Sequence, residues 1–195
     1  MTVVLVLSAA YLIGTLPTAL LVGRRAGFDP TRAGSGNPGT SNVYRLGGRR
    51  AGAIVLAGDA GKGVLAAGIG LAAGGRPLAL AAGIAAVVGH VLPATRPSRG
   101  GKGVAAALGV VLVLEPWLGL IAVLVWAAVV AVSRTAALGS LAMMATVVVG
   151  VVLAGRPPWE ILGVAGIAFV VVVRHRGNLT RLFWGRGGGV AAPLG

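Results

Sequence analysis

Three short segments combine glycine with hydroxyl, amide and cationic side chains. They are Gly34-Ser35-Gly36-Asn37-Pro38-Gly39-Thr40-Ser41-Asn42-Val43-Tyr44-Arg45, Ser98-Arg99-Gly100-Gly101-Lys102-Gly103 and Arg174-His175-Arg176-Gly177-Asn178-Leu179-Thr180-Arg181. The chemistry they suit is the binding of an anion with several oxygens. In the first, glycines let successive N–H groups converge, the hydroxyls of Ser35 and Thr40 and the amide of Asn37 add donors, and the Arg45 guanidinium can hold two phosphate oxygens together. The same residues also compose an ordinary turn. The second runs into an apolar stretch at Val104, so Gly100, Gly101, Lys102 and Gly103 lead into a helix N-terminus where free N–H groups, the helix dipole and an ammonium meet. A juxtamembrane charge anchor has the same composition. The segment is not a Walker A loop, because Lys102 is followed by Gly103 and not by Ser or Thr.

The third segment places His175 three residues before Asn178, on one face of a continuing helix. Neighbouring arginines favour the neutral imidazole, which suits a general base or a donor–acceptor. The plain reading of its arginines is a basic stop after a membrane span. His90, just before Val91-Leu92-Pro93, reads as a helix-end or interfacial histidine. Asp59 and Lys62, three apart within an apolar run, read as a structural ion pair, since charges at membrane depth must pair or face a polar cavity. Ser140 follows Gly139 in another apolar run, where small-residue packing is the default reading. The four carboxylates are scattered, which excludes a two-metal centre or a paired-carboxylate site. No Cys is present, so thiolate chemistry and disulfides are excluded. Neither a metal nor a cofactor is expected. Catalysis would have to come from positioning and from cationic stabilisation of anionic substrates.

The elements that must carry these segments follow from composition. Of 195 residues, 56% are hydrophobic and only 11% charged. So few charges cannot cover a water-facing surface, and lipid must be part of the solvent. Ala, Val, Leu and Gly dominate, as in bundles whose helices approach closely. The expected fold is an all-α, polytopic membrane bundle forming a single domain over 1–195. Apolar runs punctuated by Gly, Pro and Arg give spans near 2–22, 51–73, 77–93, 104–114, 116–132, 136–153 and 159–173, with loops at 24–50, 94–103, 133–135 and 174–195. The run 104–132 divides at Glu115-Pro116 or stays one tilted helix, and charge decides. With two helices and the N-terminus outside, fourteen of the seventeen basic residues fall on the cytoplasmic side, whereas a single helix blurs that bias. The net charge of +13 thus reads as topology plus anion binding. Nucleic acid is not expected as a partner, since the charges sit in short loops between apolar runs. The first run is followed, not preceded, by Arg24 and Arg25, which favours a retained helix over a signal peptide.

These segments resemble the three signature motifs of the bacterial acyl-phosphate:glycerol-3-phosphate acyltransferases, the PlsY family. Ser35 to Arg45 is similar to the first motif. Gly89-His90 through Gly100-Gly101-Lys102-Gly103-Val104 is similar to the second, and His175-Arg176-Gly177-Asn178 with Arg181-Leu182 to the third. The resemblance covers essentially the whole chain, in order. It implies a seven-span enzyme of the bacterial inner membrane with a cytoplasmic active site. The implied reaction moves a fatty acyl group from acyl phosphate to the 1-hydroxyl of glycerol 3-phosphate, giving lysophosphatidic acid and phosphate. By the same resemblance Ser35, His175 and Asn178 would be catalytic, and Ser35, Gly36, Asn37, Thr40, Arg45, Gly100, Gly101, Lys102, Gly103, Ser140, His175 and Asn178 would bind the substrates. Three departures stand out: Gly177 and Gly187 replace acidic residues, and Thr40-Ser41 stands where Ala-Thr is common. A transporter for phosphate or a phosphorylated metabolite would also want basic loops and glycine-broken helices. It would further want polar residues near the midplane and inverted repeats, and beyond Asp59 and Lys62 the sequence shows neither.

Overall fold

The computed structural model describes residues 1–95 and 100–184, the last four as backbone. Ser98, Arg99 and the Gly187 departure lie outside the described residues, as does the Arg181 side chain. Every regular element among the described residues is helical: α1 Thr2–Thr15, α2 Thr18–Arg25, α3 Thr40–Val91, α4 Val104–Leu114, α5 Pro116–Ser133, α6 Ala136–Leu153, α7 Pro158–Arg174 and α8 Arg176–Trp184. Four stretches are long and apolar enough to cross a membrane: Thr2–Arg25, Thr40–Val91, Pro116–Ser133 and Ala136–Leu153. α4 is shorter, with 11 residues.

Proline and glycine set the breaks. The apolar run 2–22 is not one helix. Pro17 has no N–H to donate and biases Leu16 towards extended backbone, so the chain kinks between α1 and α2, with Leu16 at φ −54°, ψ 127°. The expected loop 24–50 is also shorter than its composition suggested. α2 runs to Arg25, and α3 starts at Thr40, after Gly39 accepts the N–H groups of Asn42 and Val43. Within α3, Gly48 (φ 77°) and Gly75 (φ 70°) take left-handed backbone that other residues avoid. The second of these, with Gly74, reverses the chain into an antiparallel hairpin of 49–73 against 76–91. The run 104–133 is two helices, parted at Glu115 and restarted by Pro116 at the first helical position, where its missing N–H costs nothing.

Helix contacts are close because glycines sit at the crossings. A Cβ on Gly63 would lie 2.0 Å from the Ala106 carbonyl oxygen, and one on Gly109 2.0 Å from that of Ala60. The crossing of α1 with 76–91 has the same reciprocity, Gly14 lying on Ala86 and Gly89 on Tyr11. Such contacts replace the hydrophobic drive that lipid abolishes between helices. The main core joins Val87, Val110, Met143, Val147, Ile167 and Val171 from α3, α4, α6 and α7. α5 turns Trp117, Leu120, Ile121 and Leu124 outward, as a lipid-facing helix would.

One end of the bundle is tied by charge. Arg76 in the hairpin turn donates to the Leu114 carbonyl at 2.9 Å, to Glu115 Oε1 at 2.6 Å and to Glu160. Arg156 engages both Glu115 oxygens, at 2.6 and 2.8 Å. Two cations and two carboxylates therefore bind three turns to one another. The described residues of the three glycine-rich segments lie at the opposite end.

Candidate active site

At that opposite end the second and third segments meet. Lys102, one residue before the N-cap Gly103 of α4, donates its ammonium to Asn178 Oδ1. Gly103 has φ 86°, a left-handed turn that aims the chain into the helix, and the first N–H groups of α4 point at the same end. Arg174, the last residue of α7, donates to the carbonyl oxygens of Gly100 at 2.8 Å and Gly101 at 3.3 Å. The Gly101 N–H is spent on the His90 carbonyl at 3.1 Å, so in this state it does not cradle an anion. The donors that remain at this end are the Lys102 ammonium and the start of α4.

His175 and Asn178 do not lie on one continuing helix. α7 ends at Arg174 and α8 starts at Arg176, with His175 as the joint. The His175 N–H is shared between the Val171 and Val172 carbonyls, and Gly177 weakens helix propagation beyond it. The two residues remain linked, since the Asn178 N–H donates to the His175 carbonyl at 2.8 Å. The His175 side chain is buried, with Nδ1 2.8 Å from the Val171 carbonyl oxygen. A carbonyl only accepts, so Nδ1 carries the proton and Nε2 of the neutral ring is the basic nitrogen. Burial lowers the His175 pKa, the Val171 bond opposes this, and the nearby Lys102 ammonium lowers it further.

Below the glycine strap lies a buried cluster. Lys62 Nζ is 2.6 Å from Asp59 Oδ1 and 3.5 Å from His90 Nδ1. His90 stands in the last turn of α3, the helix end expected, but it faces inward and not towards an interface. It is buried and lies under Gly101, where a Cβ would come within 2.1 Å of its Nε2. A small cavity of about 30 Å³ is lined by Pro17, Pro38, Asp59, Lys62, His90 and Gly101. A wider groove of about 320 Å³ adjoins it, lined by Leu16, Pro17, Leu20, Leu21 and Arg24.

Pro38 brings the first segment to this end. The segment is folded around Asn42, whose amide donates to the Pro30 and Ala33 carbonyls at 2.9 and 3.0 Å and whose Oδ1 accepts the Ser35 N–H at 2.9 Å. Asn42 is buried, and its role was missed from the sequence, where it passed as one more turn residue. Asp29 caps the start of the same loop through the Thr31 N–H and hydroxyl. Ser35 and Gly36 are exposed, Asn37 and Thr40 half-buried. Arg45 is exposed and donates back to the Ser41 carbonyl at 3.1 Å. Ser140 is buried on α6 and donates to the Ala136 carbonyl at 2.8 Å, so a ligand oxygen would have to replace that acceptor. Lys102, His175 and Asn178 are thus gathered, while Ser35, Arg45 and Ser140 each keep local partners. Arg174 and His90, which frame the strap, carried no separate sequence signal: one read as a basic stop, the other as a helix end.

An all-helical membrane bundle with a cationic, glycine-strapped end and a buried imidazole fits a class, the membrane enzymes that act on phosphorylated substrates. Residues 4–185 match the family model described as Glycerol-3-phosphate acyltransferase. The chain is 46% identical over 179 residues to the glycerol-3-phosphate acyltransferase of Azotobacter vinelandii, covering 91% of this chain and 94% of the relative. It is 45% identical over 186 residues to that of Myxococcus xanthus, covering 93% and 96%. The crystal structure of PlsY (YgiH), an integral membrane glycerol 3-phosphate acyltransferase, in its glycerol 3-phosphate form superposes with a TM-score of 0.91 at 31% identity, over 98% of this chain and 96% of that one. Its lysophosphatidic acid form gives 0.89 at the same identity and coverage. The chain belongs to the glycerol-3-phosphate acyltransferase family.

Proposed function

We propose that this enzyme transfers a fatty acyl group from an acyl phosphate to the 1-hydroxyl of glycerol 3-phosphate at the end of the bundle where Lys102, Asn178 and His175 meet. That meeting is the observation that carries the reading. One solved relative has both a glycerol 3-phosphate form and a lysophosphatidic acid form, which supports this acceptor and this product. The Lys102 ammonium and the N-terminus of α4 would hold phosphate oxygens, with Ser35, Gly36, Asn37, Thr40, Arg45 and Ser140 joining when substrates draw the first segment and α6 inward. The acceptor oxygen attacks the acyl carbonyl carbon, the bond from that carbon to the phosphate oxygen breaks, and inorganic phosphate leaves. The hydroxyl proton passes to His175 Nε2 or to a phosphate oxygen of the substrate itself. A mixed anhydride is already activated, so no covalent acyl-enzyme is needed. The groove beside Leu16, Leu20 and Leu21 suits the acyl chain. No observation favours the transporter reading, and Asp59 and Lys62, the charges it would use, hold each other.

The proposed setting is a bacterial inner membrane crossed seven times, with the N-terminus outside and the strap end in the cytoplasm. Four helices have the length and composition to span, and the basic residues crowd the strap end, which supports this orientation. The deciding assay supplies purified protein with palmitoyl phosphate and glycerol 3-phosphate and follows phosphate release. Release that depends on the acceptor and yields lysophosphatidic acid is the expected result. Folded protein that gives no acceptor-dependent release would overturn it.

A further inference from the structure

Lys102 lies on a strap that is gripped from two sides. Below, Gly101 donates its N–H to the His90 carbonyl, and Gly100 is so close to Val91 that a Cβ would sit 1.9 Å from its carbonyl oxygen. From the side, one guanidinium takes both remaining carbonyls, Arg174 Nη2 reaching Gly100 and Nε reaching Gly101. In a trans peptide the C=O and the following N–H point in opposite directions. Fixing these two carbonyls therefore turns the Gly101 N–H onto His90 and the Lys102 N–H away from the guanidinium. Carbonyl oxygens repel an anion, so a strap with two of them unrestrained would present the wrong dipoles to a phosphate. Arg174 is also chain neighbour to His175. The same contacts that orient the strap thus lock it to the end of α7.

We infer that Arg174 is a positioning residue for the reaction, which sets the strap so that Lys102 meets the substrate phosphate. This rests on the reading of Lys102 as a phosphate ligand. Arg174 touches no reacting atom in this role. A lysine in its place keeps the charge but lacks the planar fork that spans two carbonyls.

The test is steady-state kinetics on Arg174→Ala and Arg174→Lys, with melting followed in the same detergent. Both variants should melt near the parent and show KM for glycerol 3-phosphate raised by about tenfold, with kcat changed by less than about threefold, because the lost interaction is shared by ground and transition states. Millimolar guanidinium chloride, and not sodium chloride of equal strength, should restore KM in Arg174→Ala. A parental KM in Arg174→Lys, or a folded Arg174→Ala that guanidinium does not recover, would overturn the inference. Should Arg174→Ala not fold, the lysine variant decides alone. Lys102→Ala separates the inference from the reading beneath it. Lost glycerol 3-phosphate binding there, beside a parental KM in the Arg174 variants, defeats the positioning role only. Unchanged binding in Lys102→Ala defeats the site itself.

Discussion

His175 is the residue whose state the surroundings fix most fully. Its Nδ1 proton is held by the Val171 carbonyl, and burial with the Lys102 ammonium lowers its pKa from 6.5. The folded protein therefore binds the imidazole proton less readily than the unfolded chain, and the ring stays neutral to lower pH. If Nε2 takes the acceptor proton, kcat/KM falls as pH drops through this lowered pKa, with the acid limb centred below 6.5. A phosphate monoester also titrates near pH ~6, so the comparison that matters is with His175→Gln. The expected outcome is a slower variant that lacks the His175 limb. A variant with the parental profile and rate would assign the base to substrate phosphate. Much of this residue-scale detail was not legible in the sequence. Lys102, His175 and Asn178 stood out by type and spacing, but Asn42 acts on backbone groups of its own loop, His90 on Lys62 and Gly101, and Arg174 on the Gly100 and Gly101 carbonyls. Only folding makes such partners known. The spending of the Gly101 N–H on His90 was likewise invisible, since a glycine-rich string fits an anion cradle and a clamped strap equally well.

Among the elements, the turns do as much as the helices. Breaks at Pro17, Gly74-Gly75, Glu115-Pro116 and Pro157-Pro158 follow from residue chemistry and could be sought in the sequence. The severed first helix and the early start of α3 were missed because apolar composition says nothing about a kink, and glycine-rich composition says nothing about a helix. The charged knot of Arg76, Glu115, Arg156 and Glu160 could not be paired from sequence, as its members are up to 84 positions apart. Burial would raise the Glu115 pKa, but hydrogen bonds from Arg156 and Arg76 outweigh it and hold the carboxyl below its ordinary 4.5. Since the folded state depresses this pKa, the stabilisation is present above the unfolded value and is lost as pH falls through the folded one. Melting temperature in detergent should stay level from neutral pH to about 5 and drop below 4.5. Glu115→Gln should melt lower at neutral pH and show a shallower acid decline. An acid decline equal to the parent's would assign that loss to other carboxylates.

For the whole molecule, the absence of cysteine makes orientation directly testable, since any thiol introduced is the only one. Arg25→Cys at the end of α2 and Ala154→Cys at the end of α6 lie on exposed, opposite ends of the bundle. In intact cells an impermeant maleimide should label Cys at 154 and spare Cys at 25 until the membrane is opened. The reverse pattern would invert the proposed orientation. Depth follows from α4. Its 11 residues at about 1.5 Å each span roughly 16 Å, about half of a hydrocarbon layer near 30 Å thick. In the proposed orientation one end of α4 is pinned beside the charged knot at the outer surface, and the other end, with Lys102, would then lie sunk within a leaflet. A donor with a fatty tail would then arrive by lateral diffusion and react without leaving its own leaflet. Its effective concentration becomes a mole fraction in a two-dimensional phase, not a molarity. Diluting the donor with inert detergent at constant total amount should slow the enzyme, while diluting glycerol 3-phosphate acts only through the water. A rate indifferent to detergent would mean that the donor is drawn from solution.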